Sequence, residues 1–306
     1  MNKFKFAVIL LLSVICGCSG FKHSAAKDKA ENYYQKALSI LQATTHNALS
    51  KSLSNQALHY IDTAISLYPF ESKYYRVRGT SYYHLKEYDL AISNFTQALK
   101  LDSTNSLAWM NRAITFENTE KYSLAEQDYL KALQYDRKSA TIYFNMGLLY
   151  DKWGKDNLSL LAYDQAIKID PKNESAYLNR GEANLENGSY LNAISDFNII
   201  LSLDSAHKLA YNNRGLCKYY LNQYEDAIID FKKALSLKLD DSFYENFDTD
   251  KYSYNNIANS YFGLGNIKEA CIYWNMAIQK GYKYKKEWKA VFHIDDPNEL
   301  LAKYCK

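Results

Sequence analysis

The sequence predicts an all-α solenoid of two-helix repeats, closed at its carboxy-terminal end by a capping helix. Three observations predict it. The chain matches itself at a spacing of 34 residues, with Tyr75, Trp109, Tyr143, Tyr177 and Tyr211 in register and Tyr254 joining after a shift of nine. Small and aromatic residues recur at fixed offsets from these positions. Only 3 prolines and 11 glycines occur in 306 residues, while 47% are hydrophobic, which fits helices joined by short turns and argues against disorder.

The offsets carry a packing logic. Four residues after each leading aromatic stands Gly79, Ala113, Gly147, Gly181, Gly215 or Ala258. Twelve further on come Ala91, Ala125, Ser159, Ala193, Ala227 and Ala270, then Phe95, Tyr129, Tyr163, Phe197, Phe231 and Trp274 four later. Ala98, Ala132, Ala166, Ile200, Ala234 and Ala277 close each set. Small residues let two antiparallel helices approach closely, and the aromatics fill the wedge between neighbouring pairs. This pattern resembles the tetratricopeptide repeat over residues 72–284, as six units. The resemblance implies a right-handed superhelical solenoid whose first helices line a concave face for a protein or peptide partner. The family's closing proline survives only at Pro69 and Pro171.

Taken in order, residues 1–17 read as a lipoprotein signal peptide. Lys3 and Lys5 precede an apolar run from Phe6 to Ile15 that is too short to span a bilayer. Ile15-Cys16-Gly17-Cys18 resembles a bacterial lipobox, which implies cleavage after Gly17 and acylation of Cys18, a palmitate-type anchor in the lipid bilayer. The other reading is an ordinary secretory signal with two incidental cysteines. By analogy with enterobacterial sorting, Ser19 favours the outer membrane, with the protein facing the periplasm of the cell envelope. Residues 18–28 form a tether.

Residues 29–71 read as a degenerate first repeat, with Ala57, Ile61, Ala64 and Pro69 on its second helix. Five units follow over 72–241. The stretch 242–250 interrupts the period with acidic and aromatic residues, either as a tolerated loop or as a partner contact. Residues 251–284 form the sixth clear unit, and 285–306 a cap whose helix starts at Asp296-Pro297.

Arg78, Arg112, Arg180 and Arg214 occupy one place in four units, and Asn94, Asp128, Asp196 and Asp230 stand sixteen residues after them. Where the arginine is replaced, at Met146 and Ile257, the partner positions hold Ala162 and Tyr273. Joint presence and absence within one chain predicts charge-assisted braces between the two helices of a hairpin, not a catalytic pair. Cys271 and Cys305 lie where the last unit meets the cap. They form either a disulfide, permitted in the periplasm, or two separate buried thiols.

Lys+Arg 37 against Asp+Glu 34 gives no field for nucleic acid. The histidines (His23, His46, His59, His84, His207, His293) show no metal spacing, and no glycine-rich phosphate loop or nucleophile elbow occurs. No catalytic residue, metal, cofactor or small-molecule substrate is expected. By helical spacing and the resemblance, the concave groove holds Met110, Ile114, Phe144, Leu148, Leu178, Leu185, Asn212, Leu216, Tyr219, Asn255, Asn259 and Phe262. These observations point to a non-enzymatic, membrane-anchored interaction scaffold or adaptor. The alternative is an enzyme or regulatory enzyme subunit with a site near the 240–250 insertion.

Overall fold

Among the described residues, each turn between paired helices is a left-handed step that the sequence repeats with different residues. Lys86 (φ 64°), Glu120 (φ 58°), Gly154 (φ 70°), Gly188 (φ 75°), Asn222 (φ 58°) and Gly265 (φ 75°) occupy the equivalent position of successive hairpins. A left-handed residue reverses the chain after a helix and satisfies its last carbonyls. Many of the hairpins also start with a side-chain cap. Asn105, Asn173 and His207 accept from the backbone N–H of Ala108, Ala176 and Ala210, at 3.0, 2.9 and 3.1 Å.

The computed structural model describes residues 24–43, 51–237, 250–284 and 296–305, and the described elements are all helical. They are α1 (24–42), α2 (Lys51–Leu67), α3 (Ser72–His84), α4 (Tyr88–Leu101), α5 (Ser106–Asn118), α6 (Tyr122–Tyr135) and α7 (Ala140–Lys152). They continue with α8 (Asp156–Ile169), α9 (Glu174–Glu186), α10 (Tyr190–Leu203), α11 (Lys208–Tyr220), α12 (Tyr224–Ser236), α13 (Asp250–Gly263), α14 (Ile267–Gln279) and α15 (Pro297–Tyr304). Helix α1 begins inside the stretch expected to be a tether. The lipobox around Cys18, residues 44–50 of the expected first repeat, residues 242–249 of the insertion and the 285–295 part of the cap lie outside the described residues. Among the described residues, no helix is long and apolar enough to cross a membrane.

The chain divides into two compact blocks, Met1–Ile142 and Tyr143–Lys306. In the amino-terminal block α1 and α2 pack together and onto α3. Ala30, Tyr34 and Ala37 of α1 join Ala57, Ile61 and Ala64 of α2 and Tyr74 and Val77 of α3 in one buried cluster. In the carboxy-terminal block Tyr177, Phe197, Ile200 and Ala210 form one core, and Ala227, Phe231 and Ile257 another. Trp274, fully buried, anchors the last repeat, with Leu300 and Leu301 of α15 packed against its cluster. Full burial of a side chain this large contributes roughly 1.5–3 kcal/mol.

Close approach explains the small residue of each first helix. A Cβ added at Gly79 would stand 2.6 Å from Cε1 of Phe95, and one at Gly215 would stand 2.9 Å from Cε1 of Phe231. An edge of the ring on the second helix thus lies against bare backbone of the first.

Candidate interaction surface

The four arginines are placed by this packing. Each sits one residue before the small position, so its side chain leaves the hairpin at the seam where two helices touch. Arg112 donates from Nε and Nη2 to the two carboxylate oxygens of Asp128, at 2.6 and 2.9 Å. Arg180 does the same to Asp196 at 3.1 and 2.5 Å, and Arg214 to Asp230 at 2.8 and 2.6 Å. Arg78 donates to Asn94 Oδ1 at 2.6 Å. These forked bonds fix position and orientation together.

Sequence reasoning missed the other half of the brace. The remaining guanidinium nitrogen, Nη1, reaches back sixteen residues to the second helix of the preceding repeat. Its acceptors are Asp62 (3.1 Å), Thr96 (2.9 Å), Asp164 (2.5 Å) and Asn198 (2.6 Å). Each arginine therefore ties three helices. It also lies over the leading aromatic of its own helix, with 5.2, 4.9, 5.5 and 5.3 Å to the rings of Tyr75, Trp109, Tyr177 and Tyr211. In the last repeat the polarity reverses. Lys232, on the helix before it, donates to Tyr261 Oη at 3.0 Å and lies 5.6 Å from the ring of Tyr273, the residue at the brace position.

Electrostatics follow burial and pairing. The hydrogen bonds of Asp230 hold the Arg214 guanidinium above its ordinary range. Burial opposes the charge of Arg180, yet Asp196 and Asp164 hold its pKa up as well. Burial raises Asp128 against the pull of Arg112. Cys217 is buried, free and pushed up to about 12 by loss of solvent, so its thiol is an inert packing group.

The expected groove residues divide by block. In the amino-terminal block, Met110 and Ile114 are half-buried on α5. Ile114 borders a cleft of about 180 Å³ lined also by Thr80, Tyr83, His84, Phe95 and Asn111. In the carboxy-terminal block Phe144 and Leu148 on α7, Leu178 and Leu185 on α9, and Asn212, Leu216 and Tyr219 on α11 are all half-buried. Leu178 and Leu185 rest on the Tyr177–Phe197 core, and Leu216 and Tyr219 on the Phe231–Ile257 core. Each of these side chains thus keeps one side packed and another partly accessible.

Two expected groove residues are corrected, and a third, Phe262, is half-buried. Asn255 and Asn259 are 1% and 9% exposed and do not line an open face. Asn259 accepts from the indole N–H of Trp274 at 2.9 Å, a core bond. Phe262 is packed at 5.5 Å from the ring of Trp274 and 5.1 Å from that of Tyr304, so the cap helix lies against it. Cys271 and Cys305 are joined in a disulfide, with Cα atoms 5.8 Å apart, tying α14 to α15.

Among the described residues, no group of three or more histidine, cysteine or carboxylate side chains could hold a metal ion. Carboxylates do gather on the open side of α7 and α9, at Asp151, Glu182 and Glu186. Asp151 accepts from Tyr163 Oη, and Glu182 accepts from Asn213 at 2.9 Å.

Comparison with known proteins agrees with this architecture. Models described as tetratricopeptide repeat match residues 72–105, 107–139 and 209–241, and one described as TPR repeat matches 152–188. A solved tetratricopeptide repeat protein from Parabacteroides merdae is 17% identical, with a TM-score of 0.55, covering 91% of this chain and 100% of its own. PilW, described as a widely conserved type IV pilus biogenesis factor, is 23% identical with a TM-score of 0.55, over 72% of this chain and 97% of that one. YrrB, described as having an unusual peptide-binding site, is 22% identical with a TM-score of 0.50, over 59% and 93%. No curated protein sequence matches the chain. At these identities the neighbours speak for the fold, and the repeat matches coincide with the hairpins α3–α4, α5–α6 and α11–α12. The chain carries tetratricopeptide repeats at 72–105, 107–139, 152–188 and 209–241, and such repeats are modules of protein interaction.

Proposed function

We propose that the chain is a non-enzymatic adaptor of the bacterial cell envelope, anchored through an acylated Cys18 and holding a protein or peptide partner. The observation that carries the reading is the row of half-buried apolar side chains on the first helices of the carboxy-terminal block, with Phe144, Leu148, Leu178 and Leu216 presenting open sides. Apolar side chains left partly accessible at matching positions of successive helices suit an apolar or amphipathic partner. The lipobox supports the anchor, and Ser19 supports the outer membrane with the repeats facing the periplasm.

Crosslinking and pull-down from solubilised membranes tests the partner. Variants at Phe144, Leu178 and Leu216 lose a captured partner, while alanine replacement of 240–250 retains it. Loss with the loop variant alone would instead place the working site on the insertion. Cys18→Ala releases the chain from the membrane fraction; retention there would refute the anchor.

A further inference from the structure

The carboxylates of the hairpin cores are neutralised from within. Asp128, Asp196 and Asp230 each receive a forked guanidinium. Asp151, Glu182 and Glu186 are treated differently. They border the same apolar row, and among the described residues none of the three pairs with a lysine or arginine. The contacts they do have hold them in place. Tyr163 fixes Asp151 between α7 and α8, and Asn213 fixes Glu182 between α9 and α11. Burial raises the Glu182 carboxyl first, and the charges of Glu186 and Asp151 raise it further. Glu186 is raised by burial and by Asp151 and Asp156. The half-buried Glu182 carboxylate, with Glu186 and Asp151 close enough to repel it, is the group that an incoming cation would relieve.

We propose that this face of the carboxy-terminal block takes a cationic amphipathic peptide segment, its apolar side chains on Phe144, Leu178 and Leu216 and its lysine or arginine side chains on Asp151, Glu182 and Glu186. The inference rests on the adaptor reading and names the chemistry of the partner. Charge complementarity selects it, since an acidic or neutral amphipathic segment would leave the carboxylates desolvated and unpaired.

The test measures fluorescence anisotropy of the whole mature chain with labelled synthetic peptides of one apolar pattern, carrying lysine, glutamine or glutamate at the polar positions. The lysine peptide binds about tenfold or more tighter than the glutamate peptide, a difference that shrinks with salt. Glu182→Gln with Glu186→Gln lowers affinity for the lysine peptide about tenfold and leaves that for the glutamine peptide unchanged. Glu225→Gln with Asp226→Asn, exposed on α12, changes neither. Equal loss in that control would show attraction to the surface at large and overturn the inference. Equal binding of the three peptides, with loss in Phe144→Ala and Leu178→Ala variants, would overturn the cationic preference while leaving the groove reading intact. Binding of the lysine peptide that survives every one of these changes would overturn both. Circular dichroism on each variant separates lost affinity from lost fold.

Discussion

Arg214 and Asp230 meet through two parallel bonds, Nε to Oδ2 at 2.8 Å and Nη2 to Oδ1 at 2.6 Å, while Nη1 of the same guanidinium crosses to Asn198 in the preceding repeat at 2.6 Å. One side chain thereby fixes a hairpin internally and docks it on its neighbour. The carboxylate is 3% exposed and the arginine 19%, so solvent screens the pair weakly.

Losing the cation from such a pair leaves a buried charge uncompensated, at a cost of about 3–5 kcal/mol. The braces will not respond equally. Lys218 also contacts Asp230, at 2.8 Å, whereas Arg112 is the cation paired with Asp128. Arg112→Leu will therefore lower the urea midpoint more than Arg214→Leu. A charge swap, Arg214→Asp with Asp230→Arg, recovers part of either single loss; strict additivity would count against the contact.

The Arg112 site also sets a pH signature. Asp128 already sits above its ordinary pKa because of burial, and removing Arg112 takes away the pull that opposes this. A carboxyl raised on folding binds a proton more readily folded than unfolded, so stability rises as pH falls through the raised value. Arg112→Leu is accordingly less destabilised at mildly acidic than at neutral pH. Glu182→Gln shows the complementary effect, since replacing a raised carboxyl by a neutral amide abolishes the stability that the wild type gains on acidification. Thermal melts across the carboxylate range check both.

The glycine–aromatic contact gives a steric prediction. Gly215→Ala places a methyl carbon against the ring of Phe231, and overpacking of this kind costs about 1–3 kcal/mol. Phe231→Leu is destabilising alone, through the cavity it leaves. Combined with Gly215→Ala the ring is gone, and the two costs fall short of their sum. A double-mutant cycle in urea measures the coupling.

The internal half of each brace was legible because period and residue type change together, arginine with aspartate or asparagine, Met146 with Ala162. The outer half was not. Its acceptors Asp62, Thr96, Asp164 and Asn198 share an offset but no residue type, and any side-chain oxygen there satisfies a guanidinium N–H. Lys232 was missed because it reverses donor and acceptor between helices while keeping the contact. Helical spacing set Phe144, Leu178 and Leu216 on one side of their helices, where all three are half-buried. It misplaced Asn255 and Asn259, whose burial depends on what packs over α13 and on the indole of Trp274, information that no 34-residue period contains.

Asn255 itself is a site of stored cost. Its amide is buried, and among the described residues neither Nδ2 nor Oδ1 has a hydrogen-bond partner. Leaving such groups unsatisfied costs about 1–3 kcal/mol each. Asn255→Leu, similar in size and apolar, raises the melting temperature. A lowered one would mean that the amide is satisfied in solution.

The disulfide between Cys271 and Cys305 carries the last prediction. The cap helix α15 has eight residues, and it rests on the cluster of Ala258, Ala270 and Trp274 through Leu300 and Leu301. A helix so short is not stable alone and depends on docking. The covalent link closes a span of 34 residues, for which the loss of unfolded-chain entropy is worth about 2–4 kcal/mol. Cys271→Ser with Cys305→Ser therefore lowers stability by that amount and lets the cap detach before the rest of the chain unfolds. Trp274 is the reporter, since α15 shields its cluster and the ring of Phe262 beside it. Reduction of the wild type will red-shift tryptophan emission at denaturant concentrations that leave helical circular dichroism unchanged. Non-reducing peptide mapping of the protein isolated from its native cells gives the direct check, and two free thiols there would remove the staple. Cys217 supplies an internal control, because its buried thiol resists alkylation until its own repeat opens.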